Sequence, residues 1–172
     1  MVNESNKVYV EMLVRTLQQK SELLDSVLEF NRSQEQLFGK EQFDYELFDS
    51  LTGNKQVILD EINELDQVFE SNYERVKDEL KESKALFRNE IEIMQKVITK
   101  LTDKAVAINA SELRIKSGME VTMTKLKKKV KQFHTSNKSI NQYYKNMANQ
   151  HIGQSYFLDK KNKKLFNTIK YF

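Results

Sequence analysis

The chain has 172 residues, contains no Pro, Cys or Trp, and carries only four Gly among 31% charged and 39% hydrophobic residues. Because sheets and barrels need frequent turns, which draw on Pro and Gly, this composition excludes most loop-rich folds and predicts long helices with few breaks. The absence of Cys also excludes a disulfide framework, a cysteine zinc site and a thiol nucleophile.

The formal net charge of +3 averages two halves of opposite sign. Residues 1–100 carry 13 Lys or Arg against 21 Asp or Glu, whereas residues 101–172 carry 15 against four. This asymmetry indicates either a basic segment for an acidic partner or two halves that neutralise each other in the fold. No apolar run of signal-peptide or membrane-spanning length occurs, so we expect a cytoplasmic protein without membrane insertion.

The first periodic segment covers about residues 6–38 and predicts a helix that ends at Gly39. The second covers about residues 43–81, with Asp44 as the expected N-cap and no change of register across Gly53. Leucines and other apolar residues recur at helical spacing in both. The first stripe contains Leu13, Leu17, Leu24 and Leu28, and the second contains Leu47, Leu51, Ile58, Ile62, Leu65, Phe69, Tyr73, Val76 and Leu80.

The third segment, about residues 84–148, has the most regular pattern. Alternating steps of four and three residues from Phe87 to Met147 reach apolar or aromatic side chains at fourteen of eighteen positions. Such a seam is typical of coiled-coil helices. Ser83 is the expected N-cap of this helix, and one continuous helix through residues 80–87 is the alternative.

Together these segments predict an all-α fold: an elongated antiparallel three-helix bundle in one domain, residues 1–148, with a flexible basic and aromatic tail, residues 149–172. The third helix is the longest, so its end should extend past the other two from about Thr122. An apolar seam without an intramolecular partner indicates a partner-binding surface. The candidate partner-binding residues are Leu126, Val130, Phe133, Ile140, Tyr143, Tyr144 and Met147.

No catalytic chemistry is indicated by the sequence. A di-iron helical bundle needs Glu three residues before each His, but His134 and His151 follow Lys131 and Ala148 at that spacing. Four isolated Gly residues cannot form a phosphate-binding loop. We therefore expect a protein that is not an enzyme and has no cofactor and no metal.

A basic run containing Lys125, Lys127, Lys128, Lys129 and Lys131 allows two interpretations. It could attract nucleic acid or an anionic membrane through salt-sensitive contacts. It could equally be a solvated helix face beside a protein-binding seam. The second interpretation is favoured, because no groove-reading motif accompanies the run.

Two stretches of the second segment resemble a known family. Residues 41–51, EQFDYELFDSL, followed by Lys55 and by residues 58–65, ILDEINEL, resemble the middle of FlgN-type flagellar export chaperones, which are related to the FliT-type. The resemblance extends loosely over residues 6–148. It implies a cytoplasmic chaperone of flagellar type III secretion that binds unfolded late substrates, notably hook–filament junction proteins, through its C-terminal helix and hands them to the export machinery.

The resulting hypothesis is a non-enzymatic chaperone that keeps hook-associated proteins competent for export. The alternative is a self-associating coiled-coil adapter, in which the projecting seam pairs with a second copy to give a homodimer. A nucleic-acid or membrane-surface binder that uses the lysine run is the third and least favoured hypothesis.

Overall fold

The computed structural model describes residues 4–132 and 145–146, and its fold is all-α. Helix α1 spans Glu4–Leu37, α2 spans Tyr45–Glu82 and α3 spans Arg88–Gln132. The predicted all-α helical bundle is therefore confirmed. The predicted end of the third helix at residue 148 and the predicted tail, residues 149–172, lie outside the described residues.

The first connection follows the predicted capping chemistry. The Asp44 carboxylate accepts the backbone N–H of Leu47 at 2.9 Å and so caps the first turn of α2. Gly39 lies in the turn after α1 without a left-handed backbone conformation. Gly53 lies inside an uninterrupted α2, because one Gly costs a long helix only about 1 kcal/mol.

The second connection differs from its prediction. Ser83 is the C-cap of α2, not the N-cap of α3, since its backbone N–H donates to the Glu79 carbonyl at 2.8 Å. A short turn follows, in which the Leu86 N–H donates to the Ser83 carbonyl at 2.9 Å, and α3 begins five residues later than Ser83. The alternative of one continuous helix is therefore wrong.

Helix α1 is the centre of the bundle. Polar contacts connect α1 to α2 in antiparallel order, from Tyr9 with Arg75 at one end to Gln34 with Thr52 at the other. No Cα atom of α2 lies within 8 Å of a Cα atom of α3, whereas α1 packs closely along both. The two outer helices therefore meet only through side chains.

All three helices bury residues at alternating three- and four-residue spacing, as in a coiled coil. In α1 these are Val10, Leu13, Leu17, Lys20, Leu24, Val27, Asn31 and Gln34; in α2 they are Phe48, Lys55, Leu59, Ile62, Phe69, Tyr73, Val76 and Leu80; in α3 they include Met94, Ile98, Leu101, Ala105, Ile108, Ile115 and Met119. The predicted seam of α3 is thus confirmed from Met94 to Met119, whereas beyond it Met123 is buried, Thr122 is half-buried and Lys129 is exposed.

The first two turns of α2 are rotated relative to the predicted stripe. Leu47 is 42% exposed and Leu51 is half-buried, while Phe48 and Lys55 occupy the core. The predicted and observed stripes agree from Ile62 onward, except that Leu65 is only half-buried. The difference arises because the predicted stripe was traced through apolar residues, whereas the buried residue at this level of α2 is a lysine, Lys55.

Candidate partner-binding surface

The end of the bundle nearest the α1–α2 connection contains a separate apolar cluster. We call it the loop-end cluster. Its buried members are Leu37, Phe48, Ile115, Met119 and Met123, and the partly buried Phe38, Phe43, Tyr45 and Leu51 pack against them. It joins the end of α1, the start of α2 and the second half of α3.

Four aromatic rings build the outer part of the loop-end cluster. The Phe43 ring is central: its centroid lies 5.4 Å from that of Phe38, 4.8 Å from that of Tyr45 and 5.5 Å from that of Phe48. Offset and edge contacts at such distances contribute about 0.5–1.5 kcal/mol per pair beyond burial. They hold the α1–α2 connection together.

Gly118 allows α3 to pass this connection at close range. A Cβ atom at residue 118 would lie 2.7 Å from Cδ2 of the Phe38 ring, which is closer than such atoms approach. A larger side chain would therefore displace the Phe38 ring from α3. The Gly118 position thus brings α3 directly under the aromatic connection.

Beyond Met123, α3 continues for nine residues to Gln132, or about 14 Å at 1.5 Å per residue. Leu126 and Val130 follow Met123 at three- and four-residue spacing and are partly buried, while Lys129, a position of the predicted seam, is exposed. The other five predicted partner-binding residues, Phe133, Ile140, Tyr143, Tyr144 and Met147, lie outside the described residues. The described part of the predicted surface is therefore the pair Leu126 and Val130.

The five lysines of the basic run are all exposed. At 100° per residue they lie on both flanks and on the far side of α3, and they leave only the side of Leu126 and Val130 without a lysine. This arrangement surrounds the seam with positive charge and does not form a single basic face.

A buried polar layer, which the sequence did not predict, lies next to the loop-end cluster. The Lys55 side chain is fully buried, and its Nζ donates to Asn31 Oδ1 at 2.9 Å, to Gln34 Oε1 at 2.8 Å and to Glu112 Oε1 at 2.7 Å. Three acceptors match the three N–H donors of a protonated lysine. Burial lowers the pKa of Lys55, and the Glu112 carboxylate opposes that shift.

The acceptors of Lys55 are themselves held by further hydrogen bonds. The Asn31 Nδ2 donates to Ser111 Oγ at 2.6 Å, and the Ser111 hydroxyl donates to the Ile108 carbonyl at 2.8 Å. We call Asn31, Gln34, Lys55, Ser111 and Glu112 the polar layer. It separates the loop-end cluster from the main core cluster and takes residues from all three helices. Glu112 is one of the four non-apolar positions in the predicted seam, and this was the only sign in the sequence of a polar residue within the core.

A second buried lysine lies further along α1. Lys20 is 2% exposed and forms an ion pair with Asp66 of α2. Burial lowers the pKa of Lys20, and Asp66 opposes the shift. Both lysines occupy seam positions, so each places a charge where the heptad pattern calls for an apolar side chain.

Within the described residues, no group of three or more His, Cys, Asp or Glu side chains is placed to hold a metal ion. Among the described helices, none is apolar and long enough to cross a membrane.

Comparisons with known proteins give no relative for this chain: no family model, no curated protein and no solved structure matches it.

Proposed function

We propose that the protein is a non-enzymatic helical chaperone that binds protein clients through the end of α3. One observation carries this proposal: α3 continues past Met123, where the buried core ends, and keeps Leu126 and Val130 in the same apolar seam. In the sequence the seam goes on through Phe133, Ile140, Tyr143, Tyr144 and Met147. A seam of this length fits an amphipathic helix of a client.

The particular class of chaperone follows from the resemblance of residues 41–51 and 58–65 to FlgN-type proteins. On that basis the clients are hook-associated proteins, the site of action is the cytoplasm, and release occurs at the flagellar type III export machinery. The lysines around the seam add attraction for acidic clients that weakens with salt.

Client binding would draw its free energy from apolar burial. Each large apolar side chain that becomes fully buried contributes about 1.5–3 kcal/mol before the cost of ordering the client. Leu126 and Val130 are already partly buried, so they contribute less than this each. We therefore expect binding to need several seam positions at once.

Co-purification of hook-associated proteins with the tagged full chain tests the proposal. A Leu126→Asp and Val130→Asp variant should lose these clients, and a Phe133→Asp and Tyr143→Asp variant should do the same. Val57→Asp is the matched control, because Val57 is an exposed valine on α2, 58% accessible and away from the seam. Circular dichroism should show equal helix content in all variants.

Equal recovery of hook-associated proteins with the seam variants and the control would contradict the proposed site. Recovery of none of them by the unmodified chain would contradict the flagellar assignment.

A further inference from the structure

The face of α3 that points directly away from the core is unusually apolar between residues 106 and 124. Val106 is 59% exposed, Leu113 is 68% exposed and Val121 is 52% exposed. The positions between them on the same face hold the exposed small residues Ala110, Ser117 and Thr124. We call this surface the outer face of α3.

Between residues 106 and 124 the outer face carries charge only at its two edges, with Glu120 on one edge and Arg114, which pairs with Glu35 of α1, on the other. A helix that packs on one side normally carries charged residues on the opposite side. The corresponding face of α2 carries more charge, since Asp60, Glu64 and Asp78 lie on it beside the exposed Val57 and Val68. In a chain with 31% charged residues, the outer face of α3 therefore has the composition of a surface that becomes buried.

Two copies of the outer face fit each other when they are placed antiparallel, because large residues of one copy then lie opposite small residues of the other. If two copies of α3 pack antiparallel around a two-fold axis at the level of Ile115, Leu113 meets Ser117 of the second copy. Val106 then meets Thr124, whose hydroxyl is already bonded to the Glu120 carbonyl at 2.8 Å. In these two pairs a large side chain opposes a small one, and Ala110 leaves room opposite Glu120, which allows the close helix approach of ridges-into-grooves packing.

The charges at the ends of this contact also match. Asp103 lies one turn before Val106, and Lys128 lies one turn after Thr124. Both are exposed and lie on the same edge of the outer face. The two-fold axis brings Asp103 of each copy within one residue, or about 1.5 Å, of the level of Lys128 of the other, so that two opposite-charge pairs flank the apolar contact.

We propose that the outer face of α3 binds a second copy of this chain, forming an antiparallel homodimer. This surface differs from the proposed client site and leaves Leu126 and Val130 free. The two α3 ends point in opposite directions, with the Gln132 positions about 50 Å apart at 1.5 Å per residue. One pair of helices buries an area at the low end of specific interfaces, so the dimer is reversible.

Sedimentation of the full chain over roughly a hundredfold range of concentration tests the dimer, since a small interface gives association that depends on concentration. We expect the average mass to rise toward twice the monomer mass. Leu113→Glu should keep the chain monomeric, because two-fold symmetry places the new charges in the contact twice. Val57→Glu, at a position of α2 that is 58% exposed, should leave dimer formation unchanged.

Disulfide trapping tests the orientation, and the absence of native Cys makes it specific. The double variant Val106→Cys and Thr124→Cys should form a covalent dimer under mild oxidation. The single variant Val106→Cys should not, because its partner position in the second copy is Thr124.

A monomer at every concentration would overturn the homodimer. So would a dimer that persists in Leu113→Glu but is lost in the Leu126→Asp and Val130→Asp variant, since that result assigns self-association to the end of α3. Efficient cross-linking of Val106→Cys alone would overturn the antiparallel arrangement.

Discussion

The polar layer and the loop-end cluster are neighbours along the bundle and connect the same three helices, but they do so by different physics. The loop-end cluster gains free energy from buried apolar area, which depends little on direction. The polar layer needs Lys55 to meet three acceptors at 2.7–2.9 Å, and this is possible in one alignment of the helices only. We therefore expect the cluster to supply stability and the layer to fix the register.

The largest expected effect comes from breaking the polar layer. Lys55→Ala should lower the free energy of unfolding by about 3–5 kcal/mol, because the Glu112 charge and two amide oxygens would remain buried without their donor. Urea denaturation measures the loss. Lys96→Ala, at an exposed position of α3, is the control and should change stability by less than about 0.5 kcal/mol. A loss below about 1 kcal/mol for Lys55→Ala would show that the layer relaxes or admits water.

Replacing four of the five residues of the polar layer together, and keeping Ser111, should change the free energy of unfolding in the opposite direction. A variant with Asn31→Leu, Gln34→Leu, Lys55→Met and Glu112→Leu leaves no unpaired charge, so its stability should equal or exceed the original by about 1–4 kcal/mol. If the layer fixes the register, this variant should give broadened amide NMR signals or mixed oligomers. A single sharp set of signals would show that apolar packing alone selects the register.

A small volume change in the loop-end cluster should have a moderate effect. Ile115 is 2% exposed, and Ile115→Val should cost about 0.5–1.5 kcal/mol of unfolding free energy. Thermal unfolding by circular dichroism measures it. A cost above about 3 kcal/mol would mean that the cluster depends on exact fit as strongly as the polar layer does.

The smallest effect is a pH dependence of the polar layer. Burial lowers the pKa of Lys55 in the folded chain below its ordinary value of 10.5. At a pH between the folded-state pKa and 10.5, the unfolded chain therefore binds more protons than the folded chain. This group therefore makes the free energy of unfolding rise with pH in that window. Compared with the four-residue apolar variant, the original chain should become relatively more stable as pH rises toward 10.5. A constant difference would show that the Glu112 contact fully offsets the desolvation of Lys55.

The sequence predicted the parts of this molecule that periodicity controls. The helical class, the Asp44 cap and the α3 seam follow from spacing and local capping, and all three are confirmed. The role of Ser83 was not predictable in the same way, because a Ser at a helix junction can cap either side.

The polar layer was not predictable, since the sequence does not distinguish a buried lysine from an exposed one. Lys55 enters the core only because Asn31, Gln34 and Glu112 lie on two other helices at the same level. Its presence also displaced the predicted stripe at the start of α2. For the partner-binding surface, the sequence predicted seven residues, of which Leu126 and Val130 fall in the described part of α3.

The central position of α1 has a consequence for how the protein is made. During synthesis α1 and α2 emerge first and can pair, while the stripe of α1 that will contact α3 stays uncovered. The 45 residues of α3 take roughly 2–9 s to add at about 5–20 residues per second. For that interval the nascent chain is a two-helix hairpin with an exposed apolar side. Cellular factors that bind exposed apolar surfaces can bind the hairpin during this time.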